Sequence, residues 1–184
     1  GGPAKFFVEV KNIDELKEAL SFTHEKKLKI FVLGGASNVL FSDQGYDGLV
    51  IKLKIENCAL PARTDGKNTR HLICGAGAIV EDVLRLAIDN QLSGLEWAGG
   101  LPGTVGGAVR GNAGAFGGEI KDGVESVKTI DLFGNIKTYS NVDCHFGYRD
   151  SIFKYNKEII VEVVFALNSG DQSQIQTVAD SHIK

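Results

Sequence analysis

Between Gly99 and Gly118 the chain reads GGLPGTVGGAVRGNAGAFGG, nine glycines in twenty residues. The intervening residues are small or apolar, unlike the Ser, Gln and Glu of a flexible linker. Glycine loses more conformational freedom on folding than any other residue. A chain therefore concentrates it where φ must be positive or where something has to approach the main chain closely. Such a stretch implies backbone laid open to a bulky ligand, with bare amides positioned to receive phosphate oxygens.

The flanking sequence supplies the frame. Lys5–Lys11 (KFFVEVK) has the composition of a strand. Asn12 and Glu15 read as an N-cap with a capping-box glutamate, and Ile13, Leu16, Ala19 and Leu20 form a helical stripe running to about Glu25. Lys29–Leu33 is expected as a buried strand, and Gly48–Leu53 as another, giving a β-α-β-β lobe. The polar stretch Glu56–Arg70, with Pro61 and Gly66, reads as a connection. Beyond it, His71–Cys74 is a strand, Gly75–Gly77 a turn, and Ile79–Gln91 an amphipathic helix with Val80, Val83, Leu84, Ala87 and Ile88 on one face. Val124–Leu132 and Ile136–Tyr139 form a hairpin around Phe133-Gly134-Asn135, and Ile159–Leu167 is a last buried strand. The expected division is 1–54 and 55–170 as two lobes, with 171–184 opening a helix that leads onward.

Composition narrows the partners. The net charge of −3, with Lys and Arg scattered, offers no stripe for nucleic acid, so a small-molecule substrate is expected. No apolar run approaches the roughly 18 residues of a spanning helix, no basic-then-apolar leader is visible, and a cytoplasmic location is expected. Cys58, Cys74 and Cys144 are odd in number and widely spaced, and the four histidines are dispersed, which suggests neither a disulfide framework nor a metal site. The sequence contains no methionine, even at position 1, and is expected to be a piece of a longer protein.

Three segments could carry chemistry. Gly34-Gly35-Ala36-Ser37-Asn38 follows an apolar strand and can converge its amides on an anion, or can be an ordinary strand-ending turn. Leu101-Pro102-Gly103-Thr104-Val105-Gly106-Gly107 has no lysine and is not a Walker loop, and Val80 stands where Gly75-x-Gly77 would need its third glycine for a dinucleotide fingerprint. Two glycine loops, one per lobe, remain to hold an extended cofactor, the alternative being close packing through small residues. In Phe146–Phe153 (FGYRDSIF), Arg149 could grip a carboxylate in bidentate fashion, or simply pair with Asp150 on the surface.

Together, LGGASNVL at 33–40, GLEW at 94–97, LPGTVGGA at 101–108, NAGAFG at 112–117 and FGYRDSIFK at 146–154 closely resemble the MurB family, the UDP-N-acetylenolpyruvoylglucosamine reductases. The resemblance implies a two-lobed α+β FAD-binding fold of the vanillyl-alcohol-oxidase (PCMH) type. It implies that the loop of Gly34, Gly35, Ala36, Ser37 and Asn38 holds the FAD pyrophosphate. By the same resemblance, Leu101, Pro102, Gly103, Thr104, Gly106, Gly107, Asn112, Ala113 and Gly114 match the stretch that lines the cofactor further along, and Ile160 matches a position near it. Ala36 replaces a glycine usual in the family, which matters only if φ there is positive. The implied reaction is reduction of UDP-N-acetylglucosamine enolpyruvate to UDP-N-acetylmuramate, with NADPH as hydride donor and the flavin as carrier. Arg149 matches the arginine that stabilises charge on the substrate, and Tyr148 beside it is a substrate contact.

The sequence also departs from the family pattern. The downstream GNAGSFFKNP segment with its proton-donating serine, and a later glutamate, are not present. In the superficially similar Asn112-Ala113-Gly114-Ala115-Phe116, Ala115 stands at the serine position, so no proton donor is assigned. The resemblance therefore implies a chain that binds FAD without turning over alone. The competing readings are a fragment of a related FAD-dependent oxidase and a non-catalytic flavin-binding module.

Overall fold

Asn12 starts the first helix in the way its sequence suggests. Its side chain accepts from the Glu15 amide at 2.9 Å, with Asn12 itself extended at φ −152°. The reciprocal bond of the cap goes one residue further back than expected, from the Lys11 amide to Glu15 Oε2 at 2.7 Å. The computed structural model describes residues 1–61 and 68–183. Part of the expected connection Glu56–Arg70, with its Gly66, and the final Lys184 lie outside the described residues; within that stretch Cys58–Ala59 and Thr69–Arg70 are strand, because both pair within the second sheet.

Strand β1 (Ala4–Val10), helix α1 (Ile13–Lys26), and strands β2 (Lys29–Leu33) and β3 (Tyr46–Leu53) form the first unit, a parallel sheet in the order β1-β3-β2. Central β3 buries Leu49, Val50, Ile51 and Leu53. β2 departs from expectation. It is an edge strand with Lys29 and Val32 exposed and Ile30, Phe31 and Leu33 only half-buried, since burial on both faces needs a packed layer over each face of the sheet.

The second sheet is antiparallel. Strands β4 (Cys58–Ala59) and β5 (Thr69–Gly75) lead to helix α2 (Val80–Asp89) and the short β6 (Leu92–Ser93). The glycine-rich stretch then folds into helix α3 (Val105–Arg110) and the two-residue strands β7 (Gly114–Ala115) and β8 (Gly118–Glu119). Strands β9 (Val124–Ile130), β10 (Ile136–Ser140) and β11 (Ile159–Ser169) precede a last helix, α4 (Gln172–His182). The order is β10-β9-β11-β5-β4, with β6 against the end of β11.

Long β11 sets the core. Val161, Val163, Phe165 and Leu167 are buried in one core with the apolar residues of α2, and that core is continuous with Leu16 and Leu20 of α1 and Ile51 of β3. Each such side chain contributes about 1.5–3 kcal/mol by leaving water. α2 begins one residue later than expected, with Ile79 as its extended N-cap. The β9–β10 hairpin turns at Gly134 (φ +89°), where Asp131 Oδ1 accepts the amides of Phe133 and Asn135 at 2.8 and 2.9 Å. No helix among the described residues is long and apolar enough to cross a membrane.

Candidate functional site

The two glycine loops, about seventy residues apart in sequence, touch one another. A Cβ on Gly35 would lie 2.8 Å from Gly103 Cα, and one on Gly103, where φ is +111°, would lie 2.8 Å from Ser37 Oγ. The Ser37 hydroxyl donates to Pro102 O at 3.4 Å, and Lys52 on β3 donates to Gly34 O at 2.6 Å. Glycine at 35 and 103 is thus required by loop-on-loop approach. Close packing through small residues and backbone exposure, posed as alternatives by the sequence, coexist here.

The amides of Gly35, Ala36, Ser37 and Asn38 donate to no acceptor among the described residues, and these four residues are exposed. In the second loop the amides of Gly103, Thr104 and Gly107 are likewise without an acceptor, whereas Val105 and Gly106 donate to Ala78 O and Ala76 O, both at 2.9 Å. Ala36 sits at φ +59°, in the left-handed region, so the substitution noted in the sequence does carry strain. Gly106 differs from its neighbours. It is buried, its amide is spent, and a Cβ would lie 2.8 Å from that of Ala76, so its place is in helix packing.

A second cluster gathers at the other end of α3. Residues 147–150 form a tight turn closed by reciprocal backbone bonds, Gly147 N to Asp150 O at 3.0 Å and Asp150 N to Gly147 O at 3.1 Å. Tyr148, 88% exposed, and Arg149, at φ +53°, occupy its tip. The guanidinium of Arg149 has no hydrogen bond or ion pair among the described residues. Asp150 does not engage it, because that carboxylate accepts from Tyr155 OH at 3.1 and 3.2 Å and lies 3.5 Å from Lys154 Nζ. The surface-pair alternative for Arg149 is therefore not what forms.

Two buried side chains hold this turn to α3. Ser151 donates to Arg110 O at 2.8 Å. Asn112, fully buried, donates to Gly147 O at 2.8 Å and to Glu119 Oε2 at 3.1 Å, and its carbonyl accepts from the Lys121 amide at 3.3 Å. The Asn112 side chain, expected to line a cofactor, is wholly engaged within the protein. Glu119 also pairs with Lys121, and the hydrogen bonds from Lys121 and then Asn112 hold its carboxyl below the usual carboxylate range. Ala113 bonds back to Ala108 and Ile120 through its backbone, and Gly114 belongs to β7. Leu101 packs on the core, and Ile160 is buried on β11 just before a bulge.

Sequence reasoning missed Lys52, Glu119 and Ser151 as supports, since each acts on a segment distant in the chain. Only the approximate alternation of β3, which turns Lys52 away from its buried neighbours Ile51 and Leu53, hinted at one of them.

Paired glycine loops carrying unspent amides, on one parallel and one antiparallel sheet, suit an extended anionic ligand. The chain belongs to the FAD binding domain family, which matches residues 4–140. It is similar to the UDP-N-acetylenolpyruvoylglucosamine reductase of Lactobacillus delbrueckii subsp. bulgaricus, 43% identical over 95% of this chain and 57% of the relative. The structure is similar to that of the corresponding reductase (MurB) from Thermus caldophilus, with TM-score 0.79 and 31% identity over 99% of this chain and 62% of that one. A VAO-type flavoprotein from Myceliophthora thermophila, 14% identical, aligns with TM-score 0.67 over 89% of this chain and 31% of its own, which shows the shared fold. The chain spans a little over half the length of the curated relatives it matches.

Proposed function

We propose that this chain is the FAD-holding part of a cytoplasmic enzyme that reduces UDP-N-acetylglucosamine enolpyruvate to UDP-N-acetylmuramate with NADPH. Residues 1–54 and 55–170 are its two cofactor lobes, and 171–184 begin the passage to a further region. The observation that carries the cofactor assignment is the run of acceptor-free amides at Gly35–Asn38 on a loop packed against that of Gly103 and Thr104, whose amides, with that of Gly107, are also without an acceptor. A diphosphate presents anionic oxygens, and oriented amides that need no reorganisation bind such oxygens well. Lys52, anchored on Gly34 O, adds a positive charge beneath the loop. Pro102, with Ser37 bonded to its carbonyl, sets the spacing of the two loops.

FAD, when bound, supplies the hydride transfer between NADPH and the enolpyruvyl group. The chain's own residues bind and orient. Arg149 is presented at a turn tip with its five donors unspent, suited to the substrate carboxylate toward which negative charge develops. Tyr148 beside it offers an exposed phenol to the nucleotide-sugar substrate. Asn112 and Ser151 fix the turn so that the guanidinium needs no reorganisation at the moment of reaction. No proton donor is assigned among residues 1–184, since Ala115 stands where the family pattern has serine.

The test is reconstitution of the purified chain with FAD, removal of excess cofactor and a visible absorbance spectrum. A yellow protein that releases FAD on unfolding is expected, and a colourless one refutes the assignment. In the full-length enzyme Arg149→Ala is expected to lower turnover while flavin is retained. Loss of flavin instead would put the arginine on the wrong side of the site. Robust product formation by the 184-residue chain alone would overturn the view that it lacks the acid for turnover.

A further inference from the structure

The fold brings together two cysteines that the sequence holds sixteen positions apart. Cys58 on β4 and Cys74 on β5 are direct cross-strand partners. The neighbouring Asn57–Gly75 pair carries the ladder bond, Gly75 N to Asn57 O at 2.8 Å, so Cys58–Cys74 occupies the adjacent non-hydrogen-bonded position. At such positions the Cα atoms are closest, about 4.5 Å apart, and the side chains share one face. That separation lies within the roughly 4.4–6.8 Å a disulfide spans, so no backbone movement is needed to bridge the two. The Cys58 thiol donates to Glu56 O at 3.8 Å, two residues back along the chain.

The two are unequal. Cys74 is fully buried, while Cys58 is half-buried and reachable from solvent. We infer that Cys58 and Cys74 form a dithiol site that reacts with low-molecular-weight disulfides and closes to an intrachain disulfide, with Cys58 as the attacking sulfur and Cys74 as the resolving one. This inference does not depend on the flavin reading.

The step balances without any further reactant. The Cys58 thiolate attacks one sulfur of RSSR, forming the Cys58–S–S–R bond and breaking the original S–S bond, with one RS⁻ released. Cys74 loses its proton to water and attacks the Cys58 sulfur, expelling the second RS⁻. The two protein thiols are oxidised, RSSR is reduced, and two RSH result once the protons are taken up. The neighbouring Cys74 thiol holds Cys58 below the usual thiol range, and Cys58 is the more accessible of the two, so Cys58 is the first to ionise. The same partnership disfavours the Cys74 thiolate, burial adding to the effect. That obstacle weakens once the Cys58 sulfur is bonded to R and carries no charge. Cys144 provides the internal control. It is fully buried, bonded to Ser140 O at 3.2 Å and pushed up to about 12 by burial, so it stays out of the exchange.

The test treats the folded, reduced chain with dithiobis(nitrobenzoate), itself a small aromatic disulfide. About two equivalents of thionitrobenzoate should be released, leaving a chain lighter by about 2 Da with no adduct and with peptides 58 and 74 linked. Cys74→Ser should release about one equivalent and retain the adduct on Cys58, and Cys58→Ser should react at least about tenfold more slowly. The linked peptide in the unsubstituted chain is diagnostic even if either variant misfolds. A stable mixed adduct on unsubstituted Cys58, a linkage involving Cys144, or equal reactivity of all three thiols would each overturn the inference.

Discussion

Ala36 allows the site's backbone strain to be measured directly. It lies at φ +59° in the first glycine loop, flanked by Gly35 and Ser37, and its amide is one of the four with no acceptor. A left-handed conformation costs an L-residue about 1–2 kcal/mol relative to glycine, since Cβ crowds the following carbonyl. Ala36→Gly removes that cost but returns about 0.4–1 kcal/mol through the greater freedom of glycine in the unfolded chain. The residue is exposed, so little packing changes hands. The net expectation is stabilisation by about 0.5–1 kcal/mol, which for a chain of this size corresponds to about 1–3 °C in Tm. Ala36→Val should move the other way, because a β-branched side chain tolerates positive φ worse still. Urea unfolding of the three chains, read by circular dichroism, measures the differences. An ordinary Ala→Gly loss of about 0.5–1 kcal/mol at position 36 would show that no strain is stored there.

Asn112→Ala removes the partner of Gly147 O, Glu119 and the Lys121 amide at a fully buried position, and should destabilise by about 2–3 kcal/mol, read as a lower urea midpoint at unchanged slope. Gly106→Ala should cost about 1–3 kcal/mol by pushing α3 off Ala76, whereas the neighbouring Gly107→Ala, exposed and clear of backbone, should be neutral or stabilise by up to about 1 kcal/mol; equal effects in thermal melts would contradict the packing described. The carboxyls of Glu119, Asp131, Asp143 and Asp171 are held below their ordinary values, chiefly by hydrogen bonds from Lys121, Asn135, Ser140 and Ser173 respectively. Folded values lower than unfolded ones mean a contribution present above the unfolded carboxylate pKa and lost as pH falls through the folded one, so Tm should be level near neutrality and drop below about pH 4. A flat profile down to about pH 2 would count against those pairings.

How far the sequence can be read depends on whether the deciding interaction is local. The stripe of α2, the Asn12 cap and the hairpin turn at Phe133-Gly134-Asn135 are each decided within a few residues, and all form within one or two residues of where the sequence places them. Lys29–Leu33 reads as buried yet lies at an edge, because edge or centre is a property of strand order, which no local run encodes. Arg149 is ambiguous in sequence for a related reason. Whether Asp150 neutralises it turns on Lys154 and Tyr155, which draw the carboxylate away only once residues 152–154 coil into a 3-10 turn. Cys58 and Cys74 look unrelated in the chain because their pairing is a matter of register across β4 and β5.

The glycine-rich stretch reads in sequence as exposed backbone but not as a device that couples two places. Its short helix α3, six residues and so about 9 Å long, has the acceptor-free amides of Gly103 and Thr104 before its first residue. At its other end, Arg110 O receives Ser151, and Asn112 two residues on holds Gly147. The loops with acceptor-free amides and the Arg149 turn are therefore both registered to one short element. That element is itself seated on Ala76 and Ala78 through the amides of Gly106 and Val105. The glycines consequently serve two different ends, Gly35 and Gly103 letting the loops approach and Gly106 seating the helix. A shift of α3 by a few tenths of an ångström would displace both ends together, so the distance between the glycine loops and the Arg149 turn is set less by either loop than by how closely Gly106 lies on Ala76.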